Sequence, residues 1–358
     1  MIYIKSIRIF DKDINLLAEI DDYESIDITR RFYKTGEFEL KIRTNKLHTD
    51  KLVKNNLLLI SKSFNKVGII LHRESSGEDN TDLLIIKGCL LQGLTSRRLI
   101  IPNTEDSYMS FKGSQEYIIK SFVEKNCVDP MDLKRKINRF NIAENKNRGK
   151  EDSWRSSYEN LGDKLNEISE YSGLGWNINL DIKNKSFIFD VIESKDLTVN
   201  QNLLPPVIFR NDFNNIKTRK YTESIINSKN VAYSGIKEDS SKLVLSVGNT
   251  SDFERIETFV DCNDEDIDEI TKAGNVILKE LEELKTFEID VRHNNTFIYE
   301  KDYDLGDIVT IQDKKLKVTM DSKIVEVKET YTPKTFDVKL ILGKSIPSLL
   351  TTIKRAVK

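Results

Sequence analysis

The stretch "GEFELKIR", residues 36–43, carries the pattern that decides the fold of this chain. Phe38, Leu40 and Ile42 alternate with charged residues, and Gly36 precedes them at a position suited to a turn. Side chains of a β-strand point alternately to its two faces, so this spacing is typical of a strand with one buried face. The first expectation is therefore a half-buried strand that follows a tight turn.

Similar short apolar runs surround this strand. They are "LLLIS" (57–61), "GIILHRE" (68–74) and "LLIIKG" (83–88), and glycines separate several of them. Many short strands at turn-punctuated spacing indicate a small barrel or sandwich. The pattern predicts a first β-barrel domain over residues 1–105.

The middle of the chain has a different pattern. Residues 114–127 and 157–175 place apolar residues at the helical spacing of three and four, and both segments carry capping residues. Residues 175–193 then alternate as two strands around an "NK" turn. Helices that feed a hairpin predict an α+β insertion domain over residues 106–204.

Strands return in the last part of the chain. We predict a β-rich segment over 205–262 that completes or bridges the barrels, a helix plus a second β-barrel over 263–343, and a C-terminal tail over 344–358. The helix, at 264–285, has a heptad-like apolar seam, but an amphipathic helix covering a sheet is favoured over a coiled coil. The predicted fold class is α+β and β-rich, with two small β-barrels flanking a mixed α+β domain.

Composition narrows the classes of function. A net charge of −2 over 358 residues does not favour a general nucleic-acid binder, which is more often basic. Three scattered cysteines, Cys89, Cys127 and Cys262, argue against both a disulfide framework and a zinc site. The start of the chain lacks the pattern of a secretory signal, and no apolar run is long enough to span a bilayer. We therefore expect a protein made in the cytosol, with no membrane partner.

The stretch "KDYDLGDIVTI", residues 301–311, holds the strongest candidate for chemistry. Its aspartates do not fit the register of an EF-hand calcium loop. A glycosidase pair could be drawn from them, because only separation in space matters there. Aspartates beside a glycine just before a strand are more commonly turn formers, so we predict that Asp302, Asp304, Gly306 and Asp307 form a structural turn.

No other motif indicates a catalytic or cofactor site. The histidines His48, His72 and His293 have no metal-ligand spacing. The chain contains neither G-x-x-x-x-G-K-[ST] nor G-x-G-x-x-G, the two glycine-rich motifs that bind phosphates. We therefore predict no catalytic residue, no metal and no cofactor.

The arginine-aromatic stretch "TRRFYKTGEFEL" (29–40) has several interpretations. Stacking on nucleic acid is disfavoured by the glutamates that follow, whereas a subunit contact fits because Arg and Tyr are enriched in protein interfaces. An ordinary hairpin is an equally good interpretation. The candidate subunit-interface residues are Arg30, Arg31, Phe32, Tyr33, Arg97 and Arg98.

Six segments, taken in order, resemble a siphovirus tail hub family found in phages and prophages of Gram-positive bacteria. The resemblance runs from about residue 7 to 343. The segments are "IFDKDINLLAEIDDYESIDITRRFYKTGEFELKI" (9–42), "KGCLLQGLTSRRLI" (87–100), "YENLGDKLNEISEYSGLGW" (158–176), "NSKNVAYSGI" with "FERIETFVD" (227–261), "YDLGDIVTI" (303–311) and "KTFDVKLILG" (334–343).

The resemblance implies a structural, non-enzymatic baseplate hub without a cofactor. Such a protein is expected to form a homotrimeric ring at the tip of the tail tube, with two barrels per subunit matching a sixfold tube. Its expected partners are the distal tail or tube protein, the tape measure protein and a spike or fibre protein, with no sequence-specific nucleic acid. It would be made in the host cytoplasm and reside in a virion, prophage tail or tail-like bacteriocin.

The last segment of the chain has two interpretations. "SIPSLLTTIKRAVK" (345–358) is either a short docking helix or a frayed tail, and it leaves any spike, lysin or fibre to a separate protein.

Two alternative functions stay open. One alternative function is a tail-tip cell-wall hydrolase that uses Asp302 and Asp307. The other is a cell-wall carbohydrate-binding protein with Trp154 or Trp176 as the sugar platform.

Overall fold

β-Strands make up most of the regular structure of this chain. A computed structural model describes residues 6–60, 64–77, 82–103, 106–236, 244–262, 266–292 and 296–344. The chain forms two compact units. The first comprises Met1–Arg219 with Ile289–Ile341, and the second comprises Lys220–Glu288 with Leu342–Lys358.

Up to residue 90, the described residues form seven antiparallel strands. Their bounds are β1 Ile7–Phe10, β2 Leu16–Ile20, β3 Ser25–Arg31, β4 Glu37–Arg43, β5 Leu57–Ile60, β6 Val67–Ser76 and β7 Leu83–Leu90. The "GEFELKIR" stretch becomes β4, and its Phe38, Leu40 and Ile42 are buried while the charged residues between them are not. These strands pair in the order β3-β4-β7-β6-β5-β1-β2.

The middle segment contains two helices and a hairpin. Its elements are β8 Met109–Ser114, α1 Gln115–Val123, β9 Phe140–Ile142, β10 Glu151–Ser156, α2 Leu161–Ser172, β11 Gly175–Asp181 and β12 Ser186–Ile192. The Ser114 hydroxyl caps α1 by accepting a hydrogen bond from the Tyr117 N–H at 3.2 Å. Gly173 ends α2 with φ +77°, a conformation that favours glycine.

The remaining elements are strands with one further helix. They are β13 Asp196–Leu197, β14 Ile208–Arg210, β15 Ile216–Ser224, β16 Val231–Gly235, β17 Leu245–Val247, β18 Glu257–Asp261, α3 Ile267–Glu280, β19 Leu284–Val291, β20 Ile308–Asp313, β21 Val318–Tyr331 and β22 Phe336–Gly343.

The second unit is built around the small sheet β17-β16-β18, against which α3 packs. A Cβ atom added to Gly274 of α3 would lie 2.6 Å from Ser234 Oγ and 2.9 Å from Val247 Cγ2. The helix backbone therefore lies directly on the sheet, which is the arrangement that its amphipathic pattern favours.

In the first unit, strand β21 pairs with strands from both the early and the late part of the chain. It pairs with β3 along the register from Glu326↔Arg31 to Tyr331↔Ile26 and with β20 along its earlier residues. The predicted β-rich α+β class is confirmed. The strands follow the order β22-β21-β3-β4-β7-β6-β5-β1-β2, and within the described ranges no pairing closes this order into a barrel. The division into five segments stays a prediction.

None of the helices in the described ranges has the length and apolar composition needed to cross a bilayer.

Candidate functional site

The arginine-aromatic stretch and the aspartate turn meet in the first unit, although 274 positions separate Arg30 from Asp304. The Arg30 guanidinium donates hydrogen bonds to the Asp304 carboxylate and to the Tyr299 hydroxyl. We call the group of side chains around this contact the junction cluster. It consists of Arg30, Lys66, Tyr299, Glu300, Asp304, Glu329 and Tyr331.

Strand alternation places two charged residues of the cluster inside the protein. On β3 the inward positions are Ile26, Ile28 and Arg30, and each faces a β21 residue across the register. Ile28 lies opposite Glu329, so Arg30 and Glu329 are diagonal neighbours on the same buried face. An arginine and a glutamate therefore occupy positions where the pattern calls for apolar side chains.

Glu329 is the centre of the cluster. Its side chain is fully buried, and its Oε2 lies 2.6 Å from the Nζ of Lys66, which is also fully buried. Its Oε1 lies 3.3 Å from Arg30 Nε and accepts a hydrogen bond from the Tyr299 hydroxyl at 2.6 Å. The Tyr331 hydroxyl donates to Oε2. One carboxylate thus binds two cations and two hydroxyl groups.

The rest of the cluster balances the two cations. Lys66 Nζ lies 2.6 Å from Glu300 Oε1, and Arg30 also pairs with Asp304. Two cations therefore face three carboxylates. A buried charge is tolerable only when it is paired and hydrogen-bonded, and here each of these charges has a partner.

Contacts within the cluster shift the pKa values of four of its members, namely Glu329, Arg30, Tyr299 and Tyr331. Burial by itself would raise the pKa of the Glu329 carboxyl, but Lys66 and Arg30 outweigh burial and lower that pKa to about 2. Burial by itself would lower the pKa of the Arg30 guanidinium. Its neighbours Tyr299, Asp304 and Glu329 outweigh burial and hold that pKa well above its ordinary value. Burial raises the pKa of the Tyr299 hydroxyl, so both tyrosines of the cluster stay protonated donors at neutral pH. The arrangement is a structural clamp of paired charges.

Phe32, next to this clamp, is held between two glycines. A Cβ atom added to Gly306 would lie 2.2 Å from Phe32 Cε2, and one added to Gly175 would lie 2.4 Å from the same atom. The Lys323 ammonium lies 4.9 Å from the centre of the Phe32 ring and donates to the Gly173 carbonyl at 2.7 Å. Phe32 therefore connects β3, the aspartate turn and the start of the β11–β12 hairpin.

The aspartates of "KDYDLGD" accept hydrogen bonds from backbone N–H groups. Asp302 accepts from Ile298 at 2.6 Å, Asp304 from Leu305 at 2.7 Å, and Asp307 from Asp304 at 2.8 Å. Gly306 has φ +94°. Burial raises the pKa of the Asp307 carboxyl. These contacts have the geometry of a turn, and Asp304 in addition pairs with Arg30.

No group of three or more His, Cys, Asp or Glu side chains in the described part of the chain has the geometry to hold a metal ion.

The six candidate interface residues differ in exposure. Arg30 and Phe32 are buried within the subunit, so their contacts are to their own chain. Arg31 is partly exposed; its Nε lies 2.8 Å from Glu326 Oε2 and its Nη2 lies 2.6 Å from Glu37 Oε1. A direct contact with a neighbouring subunit stays a prediction for Arg31 and the three residues described next.

The other three candidate residues have local partners. Tyr33 accepts a hydrogen bond from Trp176 Nε1 through its carbonyl at 3.2 Å. Arg97 donates to Asn55 Oδ1 at 3.2 Å, and Arg98 donates to the Arg135 carbonyl at 2.6 Å. Within the described residues, neither Arg97 nor Arg98 forms an ion pair or hydrogen bond with the junction cluster.

Five residues of the junction cluster were not predicted from the sequence, namely Lys66, Tyr299, Glu300, Glu329 and Tyr331. A signal for Glu329 was present, since "VKETY" at 327–331 has a glutamate in phase with Val327 and Tyr331. Lys66 gives no such signal, because it lies just before a strand and outside any alternation.

A profile of the family described as siphovirus ReqiPepy6 Gp37-like protein matches residues 6–344. The chain belongs to this family. The resemblance to a siphovirus tail protein family seen in the motifs is thereby confirmed. A search among curated protein sequences gives no significant match.

The fold of this family member is similar to that of solved prophage and bacterial tail proteins. The 43 kDa tail protein of prophage MuSo2 from Shewanella oneidensis aligns with a TM-score of 0.59 at 10% identity, covering 95% of this chain and 98% of its own. The tail protein from Neisseria meningitidis MC58 aligns at 0.57 and 14% identity, with 96% and 97% covered. Prophage tail protein gp18 from Listeria monocytogenes EGD-e aligns at 0.57 and 13%, with 99% and 98% covered.

Replacing Glu329 by Gln is expected to destabilise the first unit by roughly 3–5 kcal/mol, because Lys66 and Arg30 would stay buried with less compensating charge. Urea unfolding followed by fluorescence of the buried Trp154 and Trp176 measures this change. Glu24→Gln is the control, since Glu24 pairs with Arg43 at 2.8 Å at the surface, with about half of each side chain exposed. That change should cost less than about 1 kcal/mol. Equal effects would contradict a central role for Glu329.

The low pKa of Glu329 also predicts a dependence of stability on acid. A carboxyl whose pKa falls from an ordinary 4.5 to about 2 on folding contributes stability above about pH 4.5 and loses it as the pH falls through 2. The stability difference between the natural chain and Glu329→Gln should therefore shrink by on the order of 3 kcal/mol between pH 5 and pH 2. Urea titrations of both proteins at each pH measure it. A difference that is constant with pH would exclude this account.

Replacing Gly306 by Ala should force the new methyl group against the Phe32 ring. Gly173→Ala is the matched control, because Gly173 also has a positive φ but its added Cβ would meet only the end of Lys323, at 3.8 Å. We expect Gly306→Ala to cost about 1–3 kcal/mol more than Gly173→Ala in the same unfolding assay. Similar costs would show that backbone conformation, rather than Phe32, requires glycine.

Proposed function

We propose that this protein is a structural baseplate hub that forms a threefold ring at the tip of the tail tube. The observation that carries the proposal is the similarity of fold over whole chains, since 95–99% of this chain aligns with 97–98% of three tail proteins. A protein that shares its entire architecture with tail proteins is best explained as a component of a tail.

The proposed role is assembly without catalysis. The carboxylates that a tail-tip hydrolase would use are engaged in backbone hydrogen bonds, and Asp307 is buried. The tryptophans that a carbohydrate-binding protein would present, Trp154 and Trp176, are 4% and 2% exposed. Sugar platforms need an open aromatic face, so these side chains support a scaffold better than either alternative.

The ring would join the tube to the proteins at the tip. Two strand-rich parts per subunit would give a trimer six similar units, which matches a sixfold tube. The proposed neighbours are a distal tail or tube protein, the tape measure protein and a spike or fibre protein. The site of action is the tail tip of a virion or of a tail-like particle.

Light scattering over a concentration series, followed by negative-stain imaging, tests this proposal. We expect a mass about three times the 41.4 kDa of one chain, and rings with a central hole. A monomer at every concentration would contradict a self-assembling ring. Peptidoglycan cleavage that is lost in Asp302→Asn or Asp307→Asn would instead favour the hydrolase.

A further inference from the structure

Two surface segments of opposite charge take no part in the junction cluster. Residues 133–150 contain seven basic residues and one acidic residue. Residues 252–262 together with 266–269 contain seven acidic residues and one basic residue. The whole chain has a net charge of only −2, so each segment is a local concentration of one sign.

The first segment begins with a turn that presents apolar and basic side chains together. We call residues 131–136 the basic tip. Met131 and Leu133 are 69% and 74% exposed, and Lys134 and Lys136 are exposed beside them. Within the described residues neither lysine forms an ion pair. The Asp132 carboxylate accepts a hydrogen bond from the Lys134 N–H at 2.9 Å, which holds the turn.

The second segment presents the complementary arrangement. Residues 252–254, here the acidic tip, form a single 3-10 turn. Phe253 at its centre is 97% exposed, and Asp252 and Glu254 on either side are exposed and form no ion pair within the described residues. A phenylalanine in this position leaves its apolar surface in water, so covering it would be favourable.

We infer that the basic tip of one copy binds the acidic tip of a second copy of this chain. Each tip combines an apolar anchor with flanking charges, which is how the centre and rim of protein interfaces are built. Opposite charges steer the two tips together and fix their register. Phosphates of a nucleic acid would engage the lysines but leave Met131 and Leu133 uncovered, which favours a protein partner.

Since one chain carries both tips, the contact is heterologous and can repeat from copy to copy. Such contacts close into a ring when the rotation between copies permits it. The inference rests on the proposed self-assembly and deepens it by naming the surfaces that would meet.

Charge reversal tests the inference on the full chain. One variant carries Lys134→Glu with Lys136→Glu, a second carries Asp252→Lys with Glu254→Lys, and a third carries all four changes. Each double variant should raise the dissociation constant of assembly by at least about tenfold in 150 mM salt, and the fourfold variant should restore it. The control is Lys12→Glu with Lys54→Glu, two exposed lysines outside any ion pair in the described residues. Circular dichroism of each variant checks that it folds like the natural chain.

The outcomes separate this inference from the proposed function. An assembled natural chain that is indifferent to both double variants overturns the tip contact and leaves the hub proposal standing. Tip-dependent dimers or filaments support the contact and contradict the threefold ring. A natural chain that is monomeric at every concentration overturns the contact as well as self-assembly. DNA binding by the natural chain is measured alongside assembly. If Lys134→Glu with Lys136→Glu abolishes DNA binding and leaves assembly intact, the basic tip binds nucleic acid and the contact is overturned.

Discussion

The interaction on which the first unit depends is the buried carboxylate of Glu329 between Lys66 and Arg30. Removing charges from water is costly, and only close pairing makes the cluster stable. Because its members come from β3, from the connection before β6, from β21 and from the turn before β20, the cluster forms only when all four are in place. Removing one partner from such a buried network is strongly destabilising, whereas replacing the whole network by apolar side chains is often neutral.

Alternation of apolar and polar residues is a strong signal in this chain, and it explains what was predicted correctly. β4 and the hairpin β11–β12 follow the period of two, and α1 and α2 follow helical spacing with Ser114 and Gly173 at their ends. These features depend on neighbours in sequence. The pairing of β21 with β3 could not be derived this way, because nothing in either strand specifies a partner about 300 residues away.

The candidate site shows the same division between local and distant information. The aspartates accept hydrogen bonds from backbone N–H groups nearby in sequence, and Gly306 has a positive φ. Arg30 was singled out for its type, but its burial could be inferred only by noticing that it is in phase with Ile26 and Ile28. The link between Arg30 and Asp304 required the fold. Membership of the family adds what neither pattern nor geometry supplies, namely a link to proteins of siphoviruses.

The pairing of β3 with β21 also determines when the first unit can finish folding during synthesis. The first seven strands leave the ribosome early, yet the partner of β3 and the carboxylate that neutralises Arg30 and Lys66 lie after residue 317. Long-range pairings of this kind form slowly, because most of the chain must be present before they can close. A nascent chain would therefore keep an unpaired β3 edge, and Arg30 and Lys66 without their central anion, until β21 has been synthesised. Until then the β3 edge is open to pairing with other chains, which is the hazard that chaperones limit during synthesis.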